Sequence, residues 1–353
     1  MRARLIVHEA GSSHITGREL IASSITLTAT AGCEPPTLSF TTATTDAPRP
    51  RLDQVTLLVD DIPVETVFTT TTTAHTMIAG KDFGTTTVNC VGIMMHLDEI
   101  VNTAGWPATS FTDLGDSIRN IVLNNDRFQR CSGLTPASFQ TLVLERTGDS
   151  AIPSDIIVPV PPVPSDKSID DYSQELQTFL AVCKRYALEE ARPLDWYIDT
   201  TRRLRVTSPI RTSAYSIRTI IAGSNVDEIT ESVDLSTGRI ASEVYSGTLA
   251  NHHVAKLRSI EAEYGTIEQV AVSGSAASIV TSLSSRYRVF SISSGQDNTQ
   301  IVNGRPNLWI GDRVRIETYD GRQALCAVTS ATLTVSDGGN HASLTVGASE
   351  GTW

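Results

Sequence analysis

Residues able to do chemistry are present in this chain, but their spacing does not assemble a reaction centre. His252-His253 is the pair with metal-binding chemistry. Neighbouring side chains diverge by about 100° on a helix and take opposite faces on a strand. They share one metal only on irregular backbone, so a surface or interface histidine is the better reading. Asp60-Asp61 and Asp170-Asp171 pair carboxylates as acid–base or calcium sites do. With Ile62-Pro63 after it, the first pair signals a turn. The second follows Ser168 and completes a helix cap. Gly80-Lys81 lacks both the upstream glycine and the following Ser or Thr of a phosphate-binding loop. Gly274-Ser275 sits in a small-residue loop, and neither a G-x-S-x-G elbow nor an H-E-x-x-H helix occurs. No catalytic, cofactor-binding or metal-ligating residue is therefore assigned, no cofactor is expected, and the chain is not expected to be an enzyme.

Composition narrows the partners. The 353 residues carry 39 Asp and Glu against 28 Lys and Arg, a net charge of −11, which gives no general attraction to phosphate backbones. Specific nucleic-acid binding is not expected. Charged residues make up 19% and hydrophobic residues 40%, enough apolar surface to fold, with a length that suits two or three domains. The five cysteines at 33, 90, 131, 183 and 326 show no C-x-x-C spacing. They read as small buried hydrophobes in a protein made in a reducing host cytoplasm. No stretch reads as a signal peptide or a membrane span.

The elements follow from periodicity. Residues 1–92 read as a β-barrel or sandwich: Ile25-Thr26-Leu27-Thr28 alternates, and the Thr run 69–73 suits a strand with hydroxyls on its outer face. Residues 93–151 read as a helical connector with a β segment. Ile93, Met94, Leu97, Ile100 and Val101 form one helix face before Gly105-Trp106-Pro107, and Thr112 caps a second helix carrying Leu114, Ile118, Ile121 and Val122. Pro153, Pro159, Pro161, Pro162 and Pro164 make 152–166 a linker. Residues 167–214 read as a small α/β lobe. Its helix from Ser168 carries Tyr172, Leu176, Phe179, Leu180 and Cys183, and a hairpin pairs Trp196 and Ile198 with Leu204 and Val206 around Asp199-Thr200-Thr201-Arg202. Residues 215–353 read as a second barrel and a C-terminal β module. Within it 249–264 fits either a helix or a strand, and Asp320-Gly321 and Asp337-Gly338-Gly339-Asn340 mark turns. The scattered Trp106, Trp196 and Trp309 read as core anchors.

The order of these segments resembles hub-type minor tail proteins of tailed bacteriophages. The resemblance is carried by the aspartate-led helix at Thr112-Asp113-Leu114, by Trp196-Tyr197-Ile198-Asp199, by Ser259-Ile260 with Tyr264-Gly265 and Glu268, and by Gly311-Asp312-Arg313-Val314. It spans roughly 95–330. It implies a mainly β protein with an α/β insertion: two tube-like antiparallel β-barrels, possibly interleaved along the chain, plus a helix-hairpin lobe. It also implies a structural role at the virion tail tip, as a homotrimer forming a pseudo-six-fold ring. Such a ring would close the tail tube and meet distal tail or tube proteins, the tape-measure protein and a tail fibre or spike. A receptor- or carbohydrate-binding tail adhesin is the alternative; it would need an aromatic cluster or an acidic calcium loop.

Overall fold

Alternation of aliphatic and hydroxyl residues builds most of this molecule. Segments such as Ile25-Thr26-Leu27-Thr28-Ala29-Thr30 are β-branched on one side and greasy on the other, which suits a pleated surface buried on one face. The computed structural model describes residues 2–10, 17–31, 34–77, 84–99, 109–110, 143–146, 157–158, 195–198, 204–208, 217–233, 241–247, 252–258, 261–262, 265–270, 288–294, 301–302, 305–317, 321, 323–336 and 341–350.

The first group of strands is β1 (Ala3–Glu9), β2 (Arg18–Leu20), β3 (Ala22–Thr30), β4 (Thr37–Ala43), β5 (Asp53–Val59), β6 (Ile62–Thr76) and β7 (Thr85–Gly92). A middle group holds β8 (Thr109–Ser110), β9 (Val143–Arg146), β10 (Ile157–Val158), β11 (Asp195–Ile198) and β12 (Leu204–Ser208). The last comprises β13 (Arg218–Ile220), β14 (Glu228–Val233), β15 (Glu243–Gly247), β16 (His252–Lys256), β17 (Glu268–Val270), β18 (Arg288–Ser294), β19 (Ile301–Val302), β20 (Arg305–Pro306), β21 (Arg313–Glu317), β22 (Gln323–Ser336) and β23 (His341–Glu350).

The mainly β expectation holds, but the two tube-like barrels are not what the described strands form. Thirteen strands from both ends of the chain join one sheet in the order β14-β18-β23-β22-β3-β4-β7-β6-β5-β1-β2, with β21 and β13 branching from β22. The described pairings leave this path open at β2 and β14. The seam between the two ends is β3 against β22, in antiparallel register from Ser330↔Thr30 to Ser336↔Ser24. The main core among the described residues is a cluster that draws on both ends of the chain. Leu27, Leu38, Leu333 and Leu344 are each 0–1% exposed and lie cross-strand in one row, and Phe290 and Trp309 belong to the same cluster. Cys90 and Cys326 are buried free thiols, and burial pushes the Cys90 thiol up to about 12. Cys33, Cys131 and Cys183 lie outside the described residues.

Local chemistry accounts for the turns. Asp60 and Asp61 form the two-residue loop between β5 and β6 with φ of 48° and 67°, the left-handed pair that a tight hairpin requires. Asp60 accepts the Arg2 backbone N–H at 2.7 Å, and Asp61 pairs with Arg4. Asp53 is only 7% exposed. Burial alone would raise its pKa, but Arg49 outweighs that, donating from its backbone N at 2.7 Å and from Nη2 at 2.7 Å. The carboxyl is held below its ordinary 3.8. A depressed native pKa means that this stabilisation is complete above the ordinary carboxylate range and is lost as pH falls through the native value. Asp53→Asn should therefore cost about 1–3 kcal/mol at neutral pH. Urea unfolding of the variant should also show a shallower loss of stability below about pH 4.

One expected α-helix takes another form. Residues Ile93–Glu99 form a 3₁₀ helix, not an α-helix. Ile93 and His96, three apart, are both buried, which is the spacing a 3₁₀ turn aligns. The ambiguous 249–264 segment contains strand β16, paired with β15 from Glu243↔Lys256 to Gly247↔His252. The helices expected at 112–122 and from Ser168 lie outside the described residues. Of the α/β lobe, the hairpin is present: Trp196 pairs with Val206 and Ile198 with Leu204, and β9 adds in parallel to β12.

Candidate assembly surface

Of the motifs singled out from the sequence for their chemistry, two fall among the described residues, one on a strand and one in a turn. His252 and His253 are consecutive positions of β16, and His253 is exposed. Asp60-Asp61 is the hairpin turn described above, while Asp170-Asp171, Gly80-Lys81 and Gly274-Ser275 lie outside the described residues. What the fold does build is a surface.

Four cross-strand rows run over the face opposite the core. The first is Thr87–Thr41–Ser24–Ser336. The second is Thr72–Asn89–Ser39–Thr26–Thr334–Ser343. The third is Thr37–Thr28–Thr332–Thr345–Ser293–Glu228. The fourth is Thr30–Ser330–Gly347–Ser291–Thr230. Hydroxyls within the rows meet: Thr28 and Thr332 oxygens are 3.3 Å apart, and Asn89 Nδ2 donates to Thr72 Oγ1 at 3.1 Å. A Cβ on Gly347 would sit 2.3 Å from Ser330 Oγ, so a larger residue there requires that hydroxyl to rotate away. Glu228, on the edge strand β14, is the single charged residue in the four rows. At the chain's 19% charged content, a face of this size would carry about four.

The Thr-rich run of β6 divides between two environments. Thr69 and Thr70 are fully buried, and Thr69 Oγ1 meets His96 Nε2 at 3.0 Å. Thr72 alone of the 69–73 run stands in the exposed rows, so the expectation of an outer hydroxyl face applies to only part of it.

The turn before β21 is the Gly311-Asp312-Arg313-Val314 motif. Gly311 has φ +87°, a conformation that glycine reaches without a Cβ clash. Asp312 Oδ2 accepts the Trp309 N–H at 2.9 Å, and Val314 is fully buried. Trp309 is thereby driven into the core, where its Nε1 donates to Glu65 Oε2 at 2.7 Å. Glu65 sits at the β5–β6 register shift with φ 64°, so an irregular backbone aims its carboxylate. Sequence reasoning placed Trp309 in the core but gave no signal for Glu65, whose partner is 244 positions away.

A different patch has interface character. Ile217 and Ile221 flank β13 at 43% and 41% exposure, and Leu325 on β22 is 42% exposed. Arg315 stands between, in register with Thr219 and with Leu325.

No protein-family model matches the chain, and no curated protein matches its sequence. Solved structures do. A tail protein from Neisseria meningitidis MC58 superposes with a TM-score of 0.64 at 11% identity, covering 99% of this chain and 97% of that one. The 43 kDa tail protein of prophage MuSo2 from Shewanella oneidensis gives 0.64 at 12% identity and covers 98% of each chain. The chain has the fold of phage tail proteins. A component of the E. coli type VI secretion system, described as structurally similar to the bacteriophage T4 tail proteins gp27 and gp5, superposes at 0.50 with 10% identity, over 99% of this chain and 77% of that one. The superpositions with the two tail proteins cover 98–99% of this chain.

Proposed function

We propose that the protein is a structural, non-enzymatic hub at the phage tail tip. As a trimeric ring it closes the tail tube and joins the tube or distal tail ring to a fibre or spike, with the tape-measure protein above it. The observation that carries this reading is the end-to-end correspondence with two tail proteins of nearly the same length. The segments proposed to divide it are 1–92, 93–151, 152–166, 167–214 and 215–353, with the strands of the first and last joined as two blocks of one sheet at the β3–β22 seam. A cyclic trimer needs heterologous contacts, one face of each copy meeting a different face of the next. The Ile217, Ile221 and Leu325 patch is suited to one side of such a contact, because buried interface centres are apolar and flanked by arginine.

Solution mass with low-resolution imaging tests this. A trimer with a central hole and pseudo-six-fold outline supports the hub; a monomer that binds cell-wall glycans sinks it in favour of an adhesin. The double variant Ile221→Asp/Leu325→Asp should remain folded by circular dichroism and run as a monomer, with at least a tenfold weaker association, the order expected when hot-spot side chains are lost.

A further inference from the structure

The sheet carries one strand pattern twice. β3, β4, β5, β6 and β7 lie in the order β3-β4-β7-β6-β5, and β14, β18, β21, β22 and β23 lie in the order β14-β18-β23-β22-β21. Local details repeat with it. The β6–β7 ladder skips Thr71 and the β22–β23 ladder skips Thr329. Both threonines donate to matching carbonyls, Asn89 O at 2.9 Å and Gly347 O at 3.4 Å. Ahead of β5 and of β21 stands a left-handed residue, Arg51 or Gly311, whose N–H donates to the carbonyl just before the skip, that of Thr70 or Val328.

The two repeats differ in what meets them. β22 runs past β21, and its overhang, 330–336, pairs with β3. β6 likewise runs past β5, whose pairing ends at Thr69, and its overhang, 72–76, meets no described strand on that side. β14, the counterpart of β3, is an open edge of the sheet among the described residues. One overhang and one edge are thus joined within the chain, and one of each is left over.

We propose that the β6 overhang of one copy adds to the β14 edge of a second copy, antiparallel, in the register that β22 and β3 already show. The proposal rests on the hub reading, which supplies the neighbour. Overhang and edge are different parts of the chain, so each copy uses both, as a closed ring requires. An unpaired edge strand is a template for such an addition. Matching the repeats by their cross-strand partners places His75 at the position of Leu333 and Glu231 at that of Leu27. Leu333 faces Leu27 in the seam, so His75 faces Glu231 across the joint, and two positions further on Met77 faces Ile229. The residues brought together are the ones left wanting in a single copy. Glu231 Oε2 is shut off from water and accepts no hydrogen bond, a costly state that a donor from His75 relieves. Thr86 Oγ1 occupies His75 Nδ1 at 2.8 Å, which leaves Nε2 for the neighbour. Met77 is 92% exposed, and the joint gives it an aliphatic partner.

Cysteines test the register. Thr28 and Thr332 hydroxyls lie 3.3 Å apart in the seam, and their counterparts across the joint are Ser232 and Ala74. Ala74→Cys and Ser232→Cys are placed in separate full-length copies, co-expressed, checked by circular dichroism and oxidised. The expected result is a cross-linked dimer that forms at least tenfold faster than when Leu52→Cys, at an exposed position outside the joint, replaces Ala74→Cys. Equal rates within an assembled ring overturn the joint and leave the hub reading standing. A chain that stays monomeric at every concentration removes both. His75→Gln and Glu231→Gln should each weaken association at least fivefold, with the double variant no weaker than either alone. Losses that multiply would mean that the two side chains do not meet, and the register falls.

Discussion

Trp309→Ala should be the most damaging single substitution in the described core, costing about 3–5 kcal/mol in urea or guanidinium unfolding. The indole is 1% exposed and is among the largest fully buried side chains. Deleting it removes contacts on the shared core and leaves a cavity that the surrounding sheet closes only in part. It also removes the Nε1–Glu65 bond, which ties the turn before β21 to the irregular stretch of β6. Trp309→Phe separates the two contributions. It keeps the larger part of the ring volume and loses the donor with the five-membered ring, so the expected cost is smaller, about 1–3 kcal/mol. Equal losses for the two variants would show that the indole N–H, not the bulk, sets the stability of this turn. Circular dichroism is the right probe, since four tryptophans confuse a fluorescence signal.

Which face each strand buries could be read from the chain; which strands lie side by side could not. Alternation over 25–30 and over 313–317 is strict, and in both segments the aliphatic positions are the buried ones. The hairpin register Trp196↔Val206 and the Asp60-Asp61 turn were legible for the same reason: each depends on residues within a dozen positions of one another. Sheet order depends on partners far apart. Thr28 and Thr332 are separated by 304 positions, and nothing in either segment names the other, because every hydroxyl–aliphatic strand in this chain is patterned alike. The rows therefore became visible only with the register. The 3₁₀ helix at Ile93–Glu99 shows another limit: over seven residues, spacings of three and four both leave Ile93 and Met94 on the buried side. The positive φ of Glu65 had no sequence signal, since glutamate is not a residue that favours that conformation.

Charging the third row should weaken the sheet at the place where the two ends of the chain meet. The triple variant Thr28→Lys/Thr332→Lys/Thr345→Lys places three cations side by side on adjacent strands. Like charges directly opposite repel, so a loss of about 1 kcal/mol in urea unfolding is expected. Salt screens charges that stand in water, so most of that loss should be recovered between low and high ionic strength. A loss that salt does not relieve would show that these hydroxyls are packed against other groups and that bulk, not charge, sets the cost.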